Sequence, residues 1–128
     1  MVFQTLSNTP NKNIEITWEQ YEKDIRELVA NIEKNGEQFA CIYAIPRGGL
    51  VIGVHLSHIL KLPLTQDPYG NVLVVDDISD TGETLLQWSS KSHASIATLY
   101  WKSGTKTLPD YTVRSYYPNE WIVFPWEK

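Results

Sequence analysis

A single cysteine, Cys41, denies this chain an internal disulfide and a cysteine-based zinc site. Basic charge is also scarce. Eleven Lys and Arg stand against 15 Asp and Glu, for a net charge of −4 and no basic stripe, so no nucleic-acid partner is expected. No apolar run approaches the length needed to cross a bilayer, and no membrane role is expected either. The opening stretch from Met1 to Leu6 lacks the basic and apolar regions of a signal peptide. Together these absences predict a cytoplasmic location. They do not exclude phosphate ligands. Backbone N–H groups, one or two basic side chains and a metal ion hold a phosphate against an unfavourable overall field.

What is present suits one folded unit. The chain has 128 residues, 42% of them hydrophobic, enough for a real core. Residues 1–128 are read as a single domain, with 1–13 as a polar arm. The clearest helix runs from Ile16 to Gly36. Thr17 and Gln20 form a capping-box pattern, Ile16 is set to staple onto Tyr21, and Gly36 supplies a stop. Trp18, Tyr21, Ile25, Leu28, Val29 and Ile32 recur at helical period. Phe39 to Ile45 reads as a buried strand, broken by Pro46-Arg47-Gly48-Gly49, and Leu50 to Leu60 as a helix. Leu62 and Leu64 suit a short strand. Val72 to Val75 reads as a second buried strand, followed by acids and a helix to about Ser90. Ala94 to Trp101 and Tyr111 to Ser115 are further strands. This alternation predicts an α/β fold with an open, mostly parallel sheet flanked by helices on both faces. Three of five Trp, at 101, 121 and 126, fall at or beyond position 101.

In such a sheet, ligands sit outside the carboxyl ends of the strands, where Asp76 and Asp77 are expected. Adjacent strand residues point to opposite sides, which predicts separate work for the two carboxylates. One would accept hydrogen bonds from vicinal hydroxyls while the other faces a metal or its water shell. Magnesium suits oxygen donors of this kind and usually keeps several waters. Asp80-Thr81-Gly82-Glu83-Thr84 follows and opens a helix. Gly82 permits close backbone approach, and free N–H groups with the Thr81 and Thr84 hydroxyls suit a phosphate. Acids for ribose hydroxyls beside a phosphate cradle describe a ribose 5-phosphate site. A phosphate-accepting receiver domain would need its acidic pair near the N-terminus and a third Asp two strands later, and neither is found. His55, His58 and His93 form no metal set, and Cys41 reads as a small buried apolar residue.

The run from Val72 to Leu85 resembles the signature of type I phosphoribosyltransferases. Ala44-Ile45-Pro46-Arg47-Gly48-Gly49-Leu50-Val51 is similar to the pyrophosphate loop of the bacterial xanthine-guanine members. Ile16 to Glu19 is similar to the family's first helix entry, Thr98 to Lys102 to a strand ending in a base-reading lysine, and Glu120 to Glu127 to its C-terminal hood, here residues 116–128. The resemblance implies transfer of a phosphoribosyl group from phosphoribosyl pyrophosphate to guanine, xanthine or hypoxanthine, as in purine salvage. It implies that Asp76 and Asp77 hold the ribose hydroxyls and the magnesium shell, with Asp77 toward the metal. Asp80 would accept a proton near the purine imidazole. Thr81, Gly82, Glu83 and Thr84 would cradle the 5-phosphate, and Arg47, Gly48 and Gly49 the pyrophosphate. Lys102 would read the oxygen at purine position six, and Trp121 with Ile122 would hold the base. The catalytic set is then Asp80, Arg47 and Asp77. Family enzymes are usually dimers or tetramers, which implies a homo-oligomer.

Two departures qualify the resemblance. The family carries a long mobile loop before the acidic strand, which closes over the substrate. Only Pro63 to Asn71 occupies that place here, with Tyr69 its one residue able to reach the site. An alternative is therefore a lid-less module that binds phosphoribosyl pyrophosphate or a nucleotide with little turnover, and a third reading is transfer to a different base. Pro46 also stands where the family often has a small polar residue, and the family's loop commonly holds a cis peptide at this point. Sequence leaves open whether Pro46–Arg47 is cis.

Overall fold

The computed structural model describes residues 12–128. Most of the expected arm, residues 1–11, lies outside them. Asn13 and Lys12, counted with that arm, instead begin strand β1 (Lys12–Glu15). Its partner is β6 (Glu120–Val123), in parallel register from Lys12↔Glu120 to Glu15↔Val123. A pairing across nearly the whole chain has no local sequence signal, which is why a polar segment reads as irregular.

Helix α1 (Trp18–Asn35) starts where the cap predicts. The Gln20 N–H donates to Thr17 Oγ1 at 3.0 Å. The return half of the box does not form, because the Gln20 amide donates to Asp24 Oδ1 instead, also at 3.0 Å. Gly36 closes the helix in the left-handed region. Tyr21, Ile25, Leu28 and Ile32 are buried as expected, but Trp18 is exposed and its place in the buried stripe is taken by Asp24. That carboxylate survives burial because Tyr100 OH donates to it at 2.6 Å and Arg114 Nη2 at 2.7 Å.

The main sheet contains β2 (Cys41–Ala44), β3 (Val72–Ser79), β4 (Ala94–Lys102) and β5 (Arg114–Tyr116), all parallel in the order β2-β3-β4-β5. Leu64 adds one bridge to Ile42 at the β2 edge, the trace of the short strand expected there. Alternation along β3 sends Leu73 and Val75 into one core and Val72 and Val74 into another. The larger core lies under α1 and α2 (Leu50–Leu60), and it extends to Ile122 and Phe124 beside β6. Helix α3 (Glu83–Ser89) covers the other face through Leu85 and Trp88. The expected arrangement, a parallel sheet with helices on both faces, is therefore present.

Candidate active site

Strand β3 runs further than expected, through the acidic pair to Ser79. What makes room for a site is its neighbour. β2 ends at Ala44, paired with Val75, so from Asp76 onward that side of β3 has no strand partner. The turn Pro46 to Gly49 fills the vacancy. Ile45 N–H donates to Val75 O at 2.8 Å and Gly49 N–H to Ile45 O at 2.8 Å. A Cβ on Gly48 would lie 2.5 Å from an Asp77 carboxylate oxygen, and one on Gly49 would strike the Val75 carbonyl. Only glycines let this turn rest on the acids, which joins the two motifs in space. The Pro46–Arg47 peptide is cis. Arg47 is exposed, and among the described residues its side chain has no ion-pair partner.

The acidic pair itself corrects one expectation. Asp76 Oδ1 accepts from Asp77 N–H at 2.9 Å, and Asp77 Oδ1 from Ile78 N–H at 2.7 Å. Each carboxylate thus curls along the backbone, and the two come within hydrogen-bonding reach of each other rather than parting across the sheet. Burial, then the neighbouring Asp77 charge, pushes Asp76 up to about 8, and burial raises Asp77 as well.

Beyond β3 the chain folds into a cradle. Gly82 adopts φ +85°, and a Cβ there would lie 2.5 Å from Thr105 Oγ1 and from Thr107 N. The segment after β4 therefore presses directly on it. Lys106 N–H donates to Thr81 O at 2.9 Å, Thr107 Oγ1 to Gly82 O at 2.7 Å, and Ser79 Oγ to Thr107 O at 2.6 Å. A recess of about 90 Å³ opens among Asp76, Asp80, Thr81, Gly82 and Thr84. Glu83 lies outside it and pairs with Lys106.

A second recess, about 100 Å³, shares Asp80 with the first and is lined by Asp77, Lys102, Trp121 and Ile122. Lys102 is buried, and its ammonium lies 3.7 Å from Asp80 Oδ2 and 5.8 Å from the centre of the Trp121 ring. The ion pair is too long for a strong hydrogen bond. Trp121 remains half-exposed at the mouth while Ile122 is buried behind it. Two walls were not anticipated, Phe124 and Glu127. Phe124 also belongs to the core, where it stacks on Tyr100 and Trp126 at 5.6 and 4.8 Å. Glu127 had a signal. Pro125 with an acid two positions on is a helix-start pattern, and Glu127 Oε1 accepts from Phe124 N–H at 2.8 Å.

The short connection stays away from all of this. Thr65 N–H donates to Ile42 O at 3.0 Å, and Tyr69 is held at Cys41, whose Sγ donates to Tyr69 O at 3.3 Å. Both contacts lie at the start of β2, so Tyr69 does not reach the site.

No protein-family model matches the sequence. Among solved structures, a purine phosphoribosyltransferase from Pyrococcus horikoshii is 32% identical, with a TM-score of 0.76 over 91% of this chain and 95% of that one. A xanthine-guanine-hypoxanthine phosphoribosyltransferase from Helicobacter pylori is 25% identical, with a TM-score of 0.75 over 90% and 92%. A hypothetical protein from Neisseria gonorrhoeae with bound ppGpp, at 19% identity and a TM-score of 0.73 over 91% and 90%, shares the fold.

Proposed function

This chain belongs to the purine phosphoribosyltransferases, enzymes of the glycosyltransferase kind, and on that premise we propose that its acceptor is a 6-oxopurine: guanine, xanthine or hypoxanthine. The observation that carries this reading is the shared wall at Asp80. It joins a recess with a buried lysine and an indole to a recess of acids and threonines. Lys102 donates to an oxygen at purine position six, a contact that the amino group of adenine does not accept. Trp121 covers the base face, and stacking of this kind is worth about 1–3 kcal/mol. Ile122 closes the pocket behind it.

In the proposed reaction the purine nitrogen forms a bond to the anomeric carbon as the bond from that carbon to pyrophosphate breaks. The purine proton passes to the Asp80 carboxylate, which is near enough to solvent to release it. Asp76 and Asp77 accept hydrogen bonds from the ribose hydroxyls and face the positive charge that develops on the sugar. Thr81, Gly82 and Thr84 surround the 5-phosphate. Gly48 and Gly49 bring backbone against the pyrophosphate, and Arg47 forks onto its oxygens.

Magnesium fits the acids. They are hard oxygen donors, half-buried and short of positive charge, as the raised Asp76 indicates. Among the described residues no set of three His, Cys, Asp or Glu side chains holds a metal alone, so Asp77 would share the ion with substrate oxygens and water. When bound, the ion supplies charge neutralisation at the pyrophosphate.

We further read the protein as a cytoplasmic purine-salvage enzyme and a homo-oligomer. Among the described residues no helix is long and apolar enough to cross a membrane, and Cys41 is a buried free thiol. Helix α2 is rich in apolar residues, yet leaves Leu50 and Val54 exposed one turn apart, a patch that suits a second copy.

An absorbance assay with magnesium, phosphoribosyl pyrophosphate and each purine tests the acceptor. Turnover with at least one 6-oxopurine and none with adenine is expected. Equal or faster turnover with adenine overturns the reading.

A further inference from the structure

The proposed substrate has three anionic or electron-rich parts, and the described residues offer one cation near each. Arg47 stands at the pyrophosphate turn and Lys102 in the base recess. At the phosphate cradle the nearby cation is Lys106, a residue that neither motif contains. We propose that Lys106 binds the 5-phosphate of the substrate, an inference that rests on the ribose-phosphate reading of the cradle.

Three observations carry it. First, Lys106 is built onto the cradle and not merely near it. Its N–H donates to the Thr81 carbonyl at 2.9 Å, and its neighbours Thr105 and Thr107 fill the space a Gly82 side chain would need. Thr107 Oγ1 also donates to Gly82 O, so the two sides of the contact hold one another in register. Second, the ammonium is already engaged with an oxyanion next to the recess, the carboxylate of Glu83. Third, that pairing is cheap to exchange. Both side chains are about 60% exposed, and an exposed ion pair contributes little. A phosphate carrying up to two charges and three acceptor oxygens is the stronger partner. Glu83 thus serves as the place-holder. It holds the Lys106 ammonium beside the first turn of α3 in the free protein and yields it when the phosphate arrives.

This arrangement separates Lys106 from a purely structural strap. If the lysine only tethered the segment after β4 to α3, removing either end of the pair would do the same harm. If it binds phosphate, the two ends have opposite effects, because Glu83 competes with the ligand.

Calorimetry on the full chain decides this, titrating ribose 5-phosphate and pyrophosphate separately into wild type, Lys106→Ala and Glu83→Gln. Lys106→Ala is expected to weaken ribose 5-phosphate about tenfold and pyrophosphate by less than about twofold. Glu83→Gln is expected to tighten ribose 5-phosphate by about two- to threefold. In steady-state kinetics the Lys106→Ala loss should fall on KM for phosphoribosyl pyrophosphate and not on KM for the purine. Wild-type affinity in Lys106→Ala, equal weakening of both ligands, or a Glu83→Gln variant as impaired as Lys106→Ala would each overturn the proposal. A wild type that binds pyrophosphate but not ribose 5-phosphate would overturn the cradle reading itself, which sets the two failures apart.

Discussion

At one end of the main sheet, Glu37 sits between the starts of β3 and β4. Tyr111 OH donates to it at 2.8 Å, Ser95 Oγ at 2.9 Å and Asn71 Nδ2 at 3.2 Å. At the other end, Asp76 and Asp77 share a buried corner with each other and with glycine backbone. Burial acts upward on all three acids. At Glu37 the three donors outweigh it and the pKa falls; at Asp76 and Asp77 the local donors do not, and it rises. One end is complete as folded, and the other is short of positive charge and donors. The difference teaches where to expect a ligand. A sheet that satisfies its acids at one rim and starves them at the other has left the second rim for something to fill.

The sharpest way to break this contrast is to remove groups at the starved rim. Arg47→Ala and Asp77→Ala should each slow turnover by an amount corresponding to about 2.7–4 kcal/mol of barrier, while circular dichroism and melting show the fold intact. Rates close to wild type in either variant would remove that rim from the chemistry.

Stability comes next, and here the two ends should answer with opposite signs. Asp76→Asn should stabilise the ligand-free protein at pH 8, by on the order of 1–3 kcal/mol in urea melts. The folded pKa of Asp76, about 8, lies above its ordinary 3.8. Its contribution is therefore fully present below about pH 4 and is lost as pH rises through about 8. Glu37→Gln should destabilise, by about 1 kcal/mol at pH 7 after discounting for its partial exposure. Its folded pKa is lowered, so its contribution is present above the ordinary 4.5 and lost as pH falls through the folded value. Melts at pH 3, 5 and 8 check both, and slopes of the same sign would end the comparison. The smallest effect is Ser95→Ala, which removes one donor of three and should cost about 0.5–1 kcal/mol without touching kinetics.

Much of this was legible in the sequence because it is local. The Thr17 cap, the Gly36 stop, the buried β3 run and the acid-threonine-glycine string each announce themselves within a few residues. The joining of Arg47-Gly48-Gly49 to Asp76-Asp77, and of Lys102 to Trp121, was legible only through resemblance, since nothing local in either segment specifies the other. Three features were not legible. β1 looked like an irregular arm because its partner lies at Glu120 to Val123. The burial of Asp24 has no local signal, because Tyr100 and Arg114, which make it tolerable, are distant in sequence. The carboxylates of Asp76 and Asp77 were expected to diverge, yet side-chain bonds to the next backbone N–H turn them together, a torsion that strand alternation does not describe.

The β1–β6 pairing also sets an order of assembly. Its partners are separated by about a hundred residues, and contacts of such range form late because the intervening chain must first be brought to order. During synthesis β1 leaves the ribosome first and waits, unpaired, until β6 follows. The turn from Pro46 to Gly49 and the acidic end of β3 lie between them and can dock on one another beforehand. The recess beside Lys102 cannot close beforehand, since Trp121 and Ile122 belong to β6 itself. On the proposed assignment of the two recesses, a nascent chain is equipped for the sugar before it is equipped for the purine, and acceptor choice is the last property it acquires.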